Sequence, residues 1–360
     1  MSPPSLPIIS IAPYLPTSTA SEKQKLETSR ALHEACRDYG FFYLDISSFA
    51  DKSETDELTD LAREFFALPQ DVKDRLSLRN QDNARGYARL NENVTQGKAD
   101  AHEGLDFYRP VPNPDKNIPL HGENQWPDVS HFRERYQRWT ERMQELGLLV
   151  MEAMSVGLGM TREEWKQLRS QVDHSFWVMR VIGYPPLPTG HDGFSCGAHR
   201  DYGCLTFLYA DPTKSALQVF LQNPSLLSKA NGHTNGHTNG ANGTSQPILP
   251  TEEGSEKGVW IYADPIPGCV VCNIGEMWEI WTNGLYKSTL HRVLHKGSNY
   301  RIPFFFEPNF DALVEPLAAI SRLPEADSLE IDKARKPVVY GDFLLQKVGS
   351  NFSEGGGKYS

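Results

Sequence analysis

Residues 197–211 read GAHRDYGCLTFLYAD. The second half, LTFLYA, is apolar, branched and aromatic, as a half-buried strand should be. The first half opens with a histidine, an arginine and an aspartate. In a strand, positions i and i+2 project to one face. His199 and Asp201 are therefore expected to reach a single metal ion, with Gly197 and Gly203 giving the backbone room. Alone, H-x-D is weak, because an exposed polar strand end looks the same.

Around this stretch the chain changes character. From about Ser175 onward, short β-like runs follow one another between Pro, Gly and Asn: FWVMRVIGY, LTFLYA, ALQVFL, VWIYA, CVVCNI and RIPFFFEP. That spacing indicates a sandwich or barrel. Before it, helical patterns dominate. Leu32, Ala35, Cys36 and Tyr39 repeat at helical spacing up to Gly40; Leu58, Leu61 and Phe65 do so ahead of Pro69. A long helix is expected from about Asp128 to Leu158, its stripe formed by Phe132, Tyr136, Trp139, Met143, Leu146 and Val150. PIISIAPYL at residues 7–15 suggests an edge strand limited by prolines. GYARL and GLDFYRPV suggest short strands among loops. Residues 228–258 are Asn-, Gly- and Thr-rich with few apolar groups, so they read as a disordered insert. His233 and His237 in its NGHT repeat are not expected to bind metal.

Composition narrows the function. The 360 residues hold 36 basic and 46 acidic side chains, a net charge of -10. With no basic cluster, nucleic acid and anionic membranes are poor partners. A small-molecule substrate and no obligate protein partner fit better. Five cysteines and no secretory pattern suggest a reduced, cytoplasmic protein. Cys269 and Cys272 form one C-x-x-C inside an apolar run, so buried thiols are expected rather than zinc or redox use. Without a secretory signal, the sequons at Asn93, Asn242 and Asn351 carry little weight.

A third ligand has to come from another strand. YKSTLHRVLHKGSNYRIPFFFEP, residues 286–308, offers His291 and His295. Two histidines and one carboxylate leave three open positions, the arrangement used by non-haem Fe(II) for O2 chemistry. A hydrolytic zinc site more often keeps a single water position. Arg301 could grip the carboxylate of an iron-chelating organic acid in bidentate fashion, with Tyr184 as a second donor.

These residues sit inside longer matches. ALHEACRDYGFFYLD, REFFALPQDVKDRL, VIGYPPLP, GAHRDYGCLTFL and VVCNIGEMWEIWTNGLYKSTLHRV resemble, over nearly the whole chain, the Fe(II)/2-oxoglutarate-dependent oxygenases of the isopenicillin N synthase-like superfamily. In the last match Asn273, Gly275, Asn283, Gly284, Ser288, His291 and Arg292 all fall in place. HEGLDFYRP and FFFEPNFDA are similar to segments of fungal members and of ethylene-forming bacterial ones. The resemblance implies a mainly β fold with flanking helices: a double-stranded β-helix (jelly-roll) core, a helical N-terminal region and a long spine helix. It divides the chain into an N-terminal region at 1–125, the spine at 126–170, the catalytic core at 171–312 and an extension at 313–360. It implies Fe(II) on His199, Asp201 and His291, and 2-oxoglutarate on Arg301 and Tyr184. O2 would be the oxidant and a small molecule of secondary metabolism the substrate. The expected chemistry is oxidation of a C–H bond by hydroxylation, desaturation or ring closure. Arg180, Tyr202, Phe207, Phe304 and Phe306 are the candidates for the substrate pocket.

One departure stands out. The family anchor is R-x-S, whereas here the text is Arg301-Ile302-Pro303. Either the serine is gone or the strand register has changed. Three other readings follow: fragmentation of 2-oxoglutarate as in ethylene-forming members, a non-catalytic member with a weakened anchor, and a zinc hydrolase.

Overall fold

Helices form the first layer. The computed structural model describes residues 6–95, 98–115, 117–187, 193–223, 251–253, 256–328 and 335–349. After β1 (Ile8–Ser10) comes α1 (Glu22–Asp38), opened by a reciprocal cap between Ser21 and Gln24. Gly40, at φ +65°, ends the first unit, and a Cβ there would lie 2.6 Å from the Lys287 carbonyl. Then follow β2 (Phe41–Asp45), α2 (Lys52–Phe66), α3 (Gln70–Asp74), β3 (Gly86–Ala88), the small pair β4 (Val94–Thr95) and β5 (Lys98–Ala99), and β6 (Glu103–Tyr108).

The spine is α4 (Phe132–Gly157), followed by α5 (Arg162–Arg169). All six predicted stripe residues of α4 are buried. Each contributes about 1.5–3 kcal/mol of burial, so packing rather than propensity holds this helix. It starts four residues later than expected because His131 takes a left-handed backbone, φ 61°, which the helix cannot pass through.

The second layer is two facing sheets. The chain runs through β7 (Val178–Tyr184), β8 (Phe194–His199), β9 (Leu205–Ala210), β10 (Leu217–Leu221), β11 (Thr251–Glu253), β12 (Glu256–Tyr262), β13 (Cys269–Ile274), the short helix α6 (Glu276–Trp281), β14 (His291–Leu294) and β15 (Asn299–Phe306). A small ribbon of β16 (Leu313–Val314) and β17 (Val338–Val339) leads to α7 (Tyr340–Gly349). The large sheet has the order β1-β2-β13-β9-β15-β7-β6-β3, and the smaller one β11-β12-β10-β14-β8. From β7 to β15 the chain passes back and forth between them, the winding of a double-stranded β-helix. Helix α4 backs the large sheet. Gly147 on α4 has no room for a side chain, since a Cβ would meet the Phe306 ring at 2.3 Å.

One expectation is narrowed and another corrected. PIISIAPYL does supply an edge strand, β1, but one only three residues long, ahead of a 3-10 turn at Ala12–Tyr14. The insert at 228–258 is not loop to its end, for Thr251–Glu253 and Glu256–Tyr262 pair as an antiparallel hairpin. Residues 228–250, with His233, His237 and Asn242, lie outside the described residues, as does Asn351. Cys269 and Cys272 are free thiols on β13, the second buried. No described helix is long and apolar enough to cross a membrane.

Candidate metal centre and its cavity

His199 and Asp201 do not share a strand. His199 is the last residue of β8 in the smaller sheet, and Asp201 lies in the turn that crosses to β9 in the large one. The shared-face argument is therefore corrected, since the turn brings the pair together. His291 opens β14 directly opposite His199. The ligand atoms of the three lie within 4.8 Å of one another. Asp201 Oδ1 is 3.8 Å from His199 Nε2 and 3.6 Å from His291 Nε2. His295 is elsewhere, its Nδ1 2.6 Å from Ser195 Oγ.

Each member is held by its other polar atoms. His199 Nδ1–H donates to the Gly197 carbonyl at 2.9 Å, and His291 Nδ1–H to Thr289 at 3.1 Å. Both rings thus turn Nε2 inward. Asp201 Oδ2 accepts from Thr206 Oγ1 at 2.5 Å and Asn273 Nδ2 at 2.6 Å, leaving Oδ1 to the site. Burial alone would raise the Asp201 carboxyl; the two imidazoles and these hydrogen bonds hold it below its ordinary value. Burial pushes His291 down to about 4, so it is neutral and able to ligate. The turn itself is pinned. Ser288 Oγ donates to the Asp201 carbonyl at 2.9 Å, and the Glu276 and Met277 N–H groups donate to the Asp201 and Gly203 carbonyls. Gly275 packs where a Cβ would meet the Gly203 carbonyl at 2.2 Å. Asn273, Gly275 and Ser288, striking in the sequence as motif positions, all act on the Asp201 turn.

The triad opens into a cavity of about 240 Å³ between the sheets. Arg301 and Tyr184 line it, with Arg301 only 4% exposed. The Arg301 guanidinium carbon sits 5.6 Å from the Tyr184 ring centre, and its buried Nη1 has no hydrogen-bond partner among the described residues. A buried, unpaired guanidinium nitrogen is costly unless an anion meets it. β15 pairs with β9 without a break from Arg301 to Phe306. Pro303 lies two residues along, on the same face as Arg301. Pairing to β7 runs through Arg301 and resumes at Phe304, so the proline's missing N–H falls where the ladder is open.

The substrate candidates divide. Arg180 and Tyr202 line the cavity; Phe207, Phe304 and Phe306 do not and belong to the core beneath the helices. The reason is the strand period of two. If Arg301 faces the cavity, so do Pro303, Phe305 and Glu307, and the even-numbered residues face away. Phe207 pairs with Phe304 and follows it.

Sequence reasoning missed much of the wall. Asn93, Thr95, Asp100, His102, Asp106 and Tyr108 come from the N-terminal loops and β6; Tyr340, Leu344 and Val348 come from α7. Arg180 Nε donates to Asp106 Oδ1 at 2.8 Å. Lys347 on α7 pairs with Glu276 at 2.7 Å and stands 5.9 Å from the Tyr202 ring centre, so the helix closes over the mouth. Glu307 is buried, accepts the Cys204 N–H at 2.7 Å, and is pushed by burial up to about 8. Only Glu307 carried a usable signal, its odd parity with Arg301.

Comparison with known proteins gives the family. Residues 6–129 match the model for the non-haem dioxygenase in morphine synthesis N-terminal region, and residues 241–308 that of the 2OG-Fe(II) oxygenase superfamily. The chain is 34% identical over 362 residues to a homoarginine-6-hydroxylase of Oryza sativa subsp. japonica, covering 96% of this chain and 97% of that one. The chain belongs to the Fe(II)/2-oxoglutarate-dependent oxygenases. A homoarginine-6-hydroxylase of Glycine max is 35% identical, covering 97% of each. A full-length Neurospora crassa protein solved with 2-oxoglutarate shares the fold, with a TM-score of 0.70 at 23% identity and 96% coverage of each. As a dioxygenase of this family the protein uses Fe(II), 2-oxoglutarate and O2 to oxidise a C–H bond of a small molecule. The donor set of two imidazoles and a carboxylate fits that iron, and the unpartnered Arg301 Nη1 fits a dicarboxylate beside it. The zinc-hydrolase and non-catalytic readings are set aside.

Proposed function

We propose that His199, Asp201 and His291 are the iron ligands, that Arg301 with Tyr184 holds the distal carboxylate of 2-oxoglutarate, and that the reaction is hydroxylation of a basic amino acid or a close analogue. The observation that carries the site assignment is the buried Arg301 Nη1, left without a partner in the same cavity as the triad. Bound there, iron and 2-oxoglutarate supply the O2-derived oxidant that removes hydrogen from a C–H bond. The chain supplies position and dryness. Thr206 and Asn273 aim Asp201; the Gly197 and Thr289 carbonyls aim the imidazoles. Tyr202, Leu344 and Val348 keep water from the reacting carbon. Pro303 provides ring surface where the family has a hydroxyl, so the anchor is the arginine with the Tyr184 phenol. The full-length relatives named for homoarginine make that compound the first substrate to try.

The test is anaerobic titration of the apo-protein with Fe(II) and then 2-oxoglutarate, followed by visible absorbance. A weak charge-transfer band in the green is expected, absent in His199→Ala and weakened in Arg301→Ala. Iron binding with no band at any 2-oxoglutarate concentration overturns the assignment. Product analysis with homoarginine then separates hydroxylation from ethylene release.

A further inference from the structure

We propose that Asp100 is the specificity-determining carboxylate that selects a substrate carrying a guanidinium or ammonium group and holds that cation beside the metal site. The inference rests on the site assignment above. Asp100 is 4% exposed and lines the cavity. Its Oδ2 accepts from Thr95 Oγ1 at 2.8 Å, and its N–H donates to the Asn93 carbonyl at 2.8 Å. Neither partner carries charge. The cation that Asp100 feels most is Arg180, whose Nε is committed to Asp106. His102, on the same loop, is held neutral by burial, its pKa pushed down to about 3. Of the other guanidiniums on the wall, Arg200 is paired with Glu256 and Arg301 lies against Tyr184, so Asp100 and Asp106 share Arg180.

Burial holds the Asp100 carboxyl above its ordinary range, the mark of an anion short of a partner. A cation placed against it relieves that cost, and a guanidinium can meet the carboxylate with two parallel hydrogen bonds. A neutral ligand leaves the acid as it is. Glu307, the other buried acid of the wall without a cation, is a poorer candidate, because burial keeps it protonated near neutral pH.

The position of Asp100 also says which end of the substrate it holds. Thr95 Oγ1 is 3.6 Å from Cys196 Sγ, which is 3.5 Å from His199 Nδ1. Asp100 is thus two side chains removed from the triad. Asp100 and the triad line one cavity, so a substrate whose cation rests on Asp100 has its adjoining carbons in the space the triad opens into.

The experiment is anaerobic calorimetry on protein loaded with Fe(II) and 2-oxoglutarate, comparing L-homoarginine with L-homocitrulline, its neutral isostere. Wild type is expected to favour homoarginine by about ten- to a hundredfold, the range for a charged hydrogen bond. Asp100→Asn is expected to erase that preference by losing homoarginine affinity alone, with the charge-transfer band intact, while Asp100→Glu keeps the preference. Equal binding of the two ligands by wild type overturns the proposal, and that result needs no folded variant. So does an unchanged preference in a banded Asp100→Asn protein. A missing band in wild type is a different failure, that of the site assignment.

Discussion

The two ends of the cavity are built by opposite means. At the metal end every group is fixed from behind by a second one. Asp201 is clamped by Thr206 and Asn273, its carbonyl by Ser288, and both imidazoles by carbonyls two residues upstream. All of these lie on or beside β8, β9, β13 and β14. At the outer end the wall is gathered from distant pieces: the loop around Asp100, strand β6, Glu307 at the end of β15, and α7. The first arrangement fixes a geometry to which any substrate must submit. The second places a few charges that decide which substrate is admitted. An error at the metal end should therefore abolish the reaction, and an error at the outer end should change its preferences or its response to pH.

The largest effect belongs to the ligands. Asp201→Ala should remove both iron binding and turnover, with the fold kept by circular dichroism; residual activity above a few per cent would break the contrast. Next comes the anchor. Arg301→Ala should weaken 2-oxoglutarate by about two orders of magnitude or more, as expected when one partner of a buried charge pair is truncated. A titration of the charge-transfer band reads this directly. Asn273→Ala loosens Asp201 without touching the metal, and about ten- to a hundredfold in iron affinity is the expected loss. Pro303→Ser restores the hydroxyl of the family anchor. Its gain should be small, about two- to tenfold in 2-oxoglutarate affinity, the worth of one hydrogen bond.

At the outer end the sharpest test is pH. Burial raises the Glu307 carboxyl from 4.5 to about 8. Between those values the folded state binds the extra proton, so stability is greatest at low pH and falls as pH rises toward 8. The slope is at most about 1.4 kcal/mol per pH unit. Glu307→Gln should flatten that decline in denaturant melts run from about pH 5 to pH 8. A wild-type protein already flat over this window would show that Glu307 is not held protonated.

Legibility follows the same division. The metal end could be read because its residues are close in sequence and their types are chemically restrictive. H-x-D is weak alone, and the Ser288 to Arg292 text, through its resemblance, ties the third ligand to it. Even there the stated geometry was wrong: the pair spans a turn between two sheets. Phe304 and Phe306 were misplaced by proximity to Arg301 in sequence, though alternation along β15 already excluded them. The register doubt at Pro303 came from counting residues in a hairpin; the pairing of β15 with β9 runs unbroken from Arg301 to Phe306.

By itself, the sequence determined the class of chemistry, the order of helices before sheets, and the three side chains able to bind one metal. The order of elements follows from side-chain type and local period, which act within a strand or a helix turn; the chemistry and the choice of His291 came from the resemblance of longer motifs. Only the tertiary structure decided what surrounds the metal. Asp100 and Val348 share one cavity while lying far apart in the chain, because the winding of two sheets brings the N-terminal loops and the last helix over the same opening. Whether a buried carboxylate there has a cation beside it depends on that assembly, and the choice of substrate depends on it too.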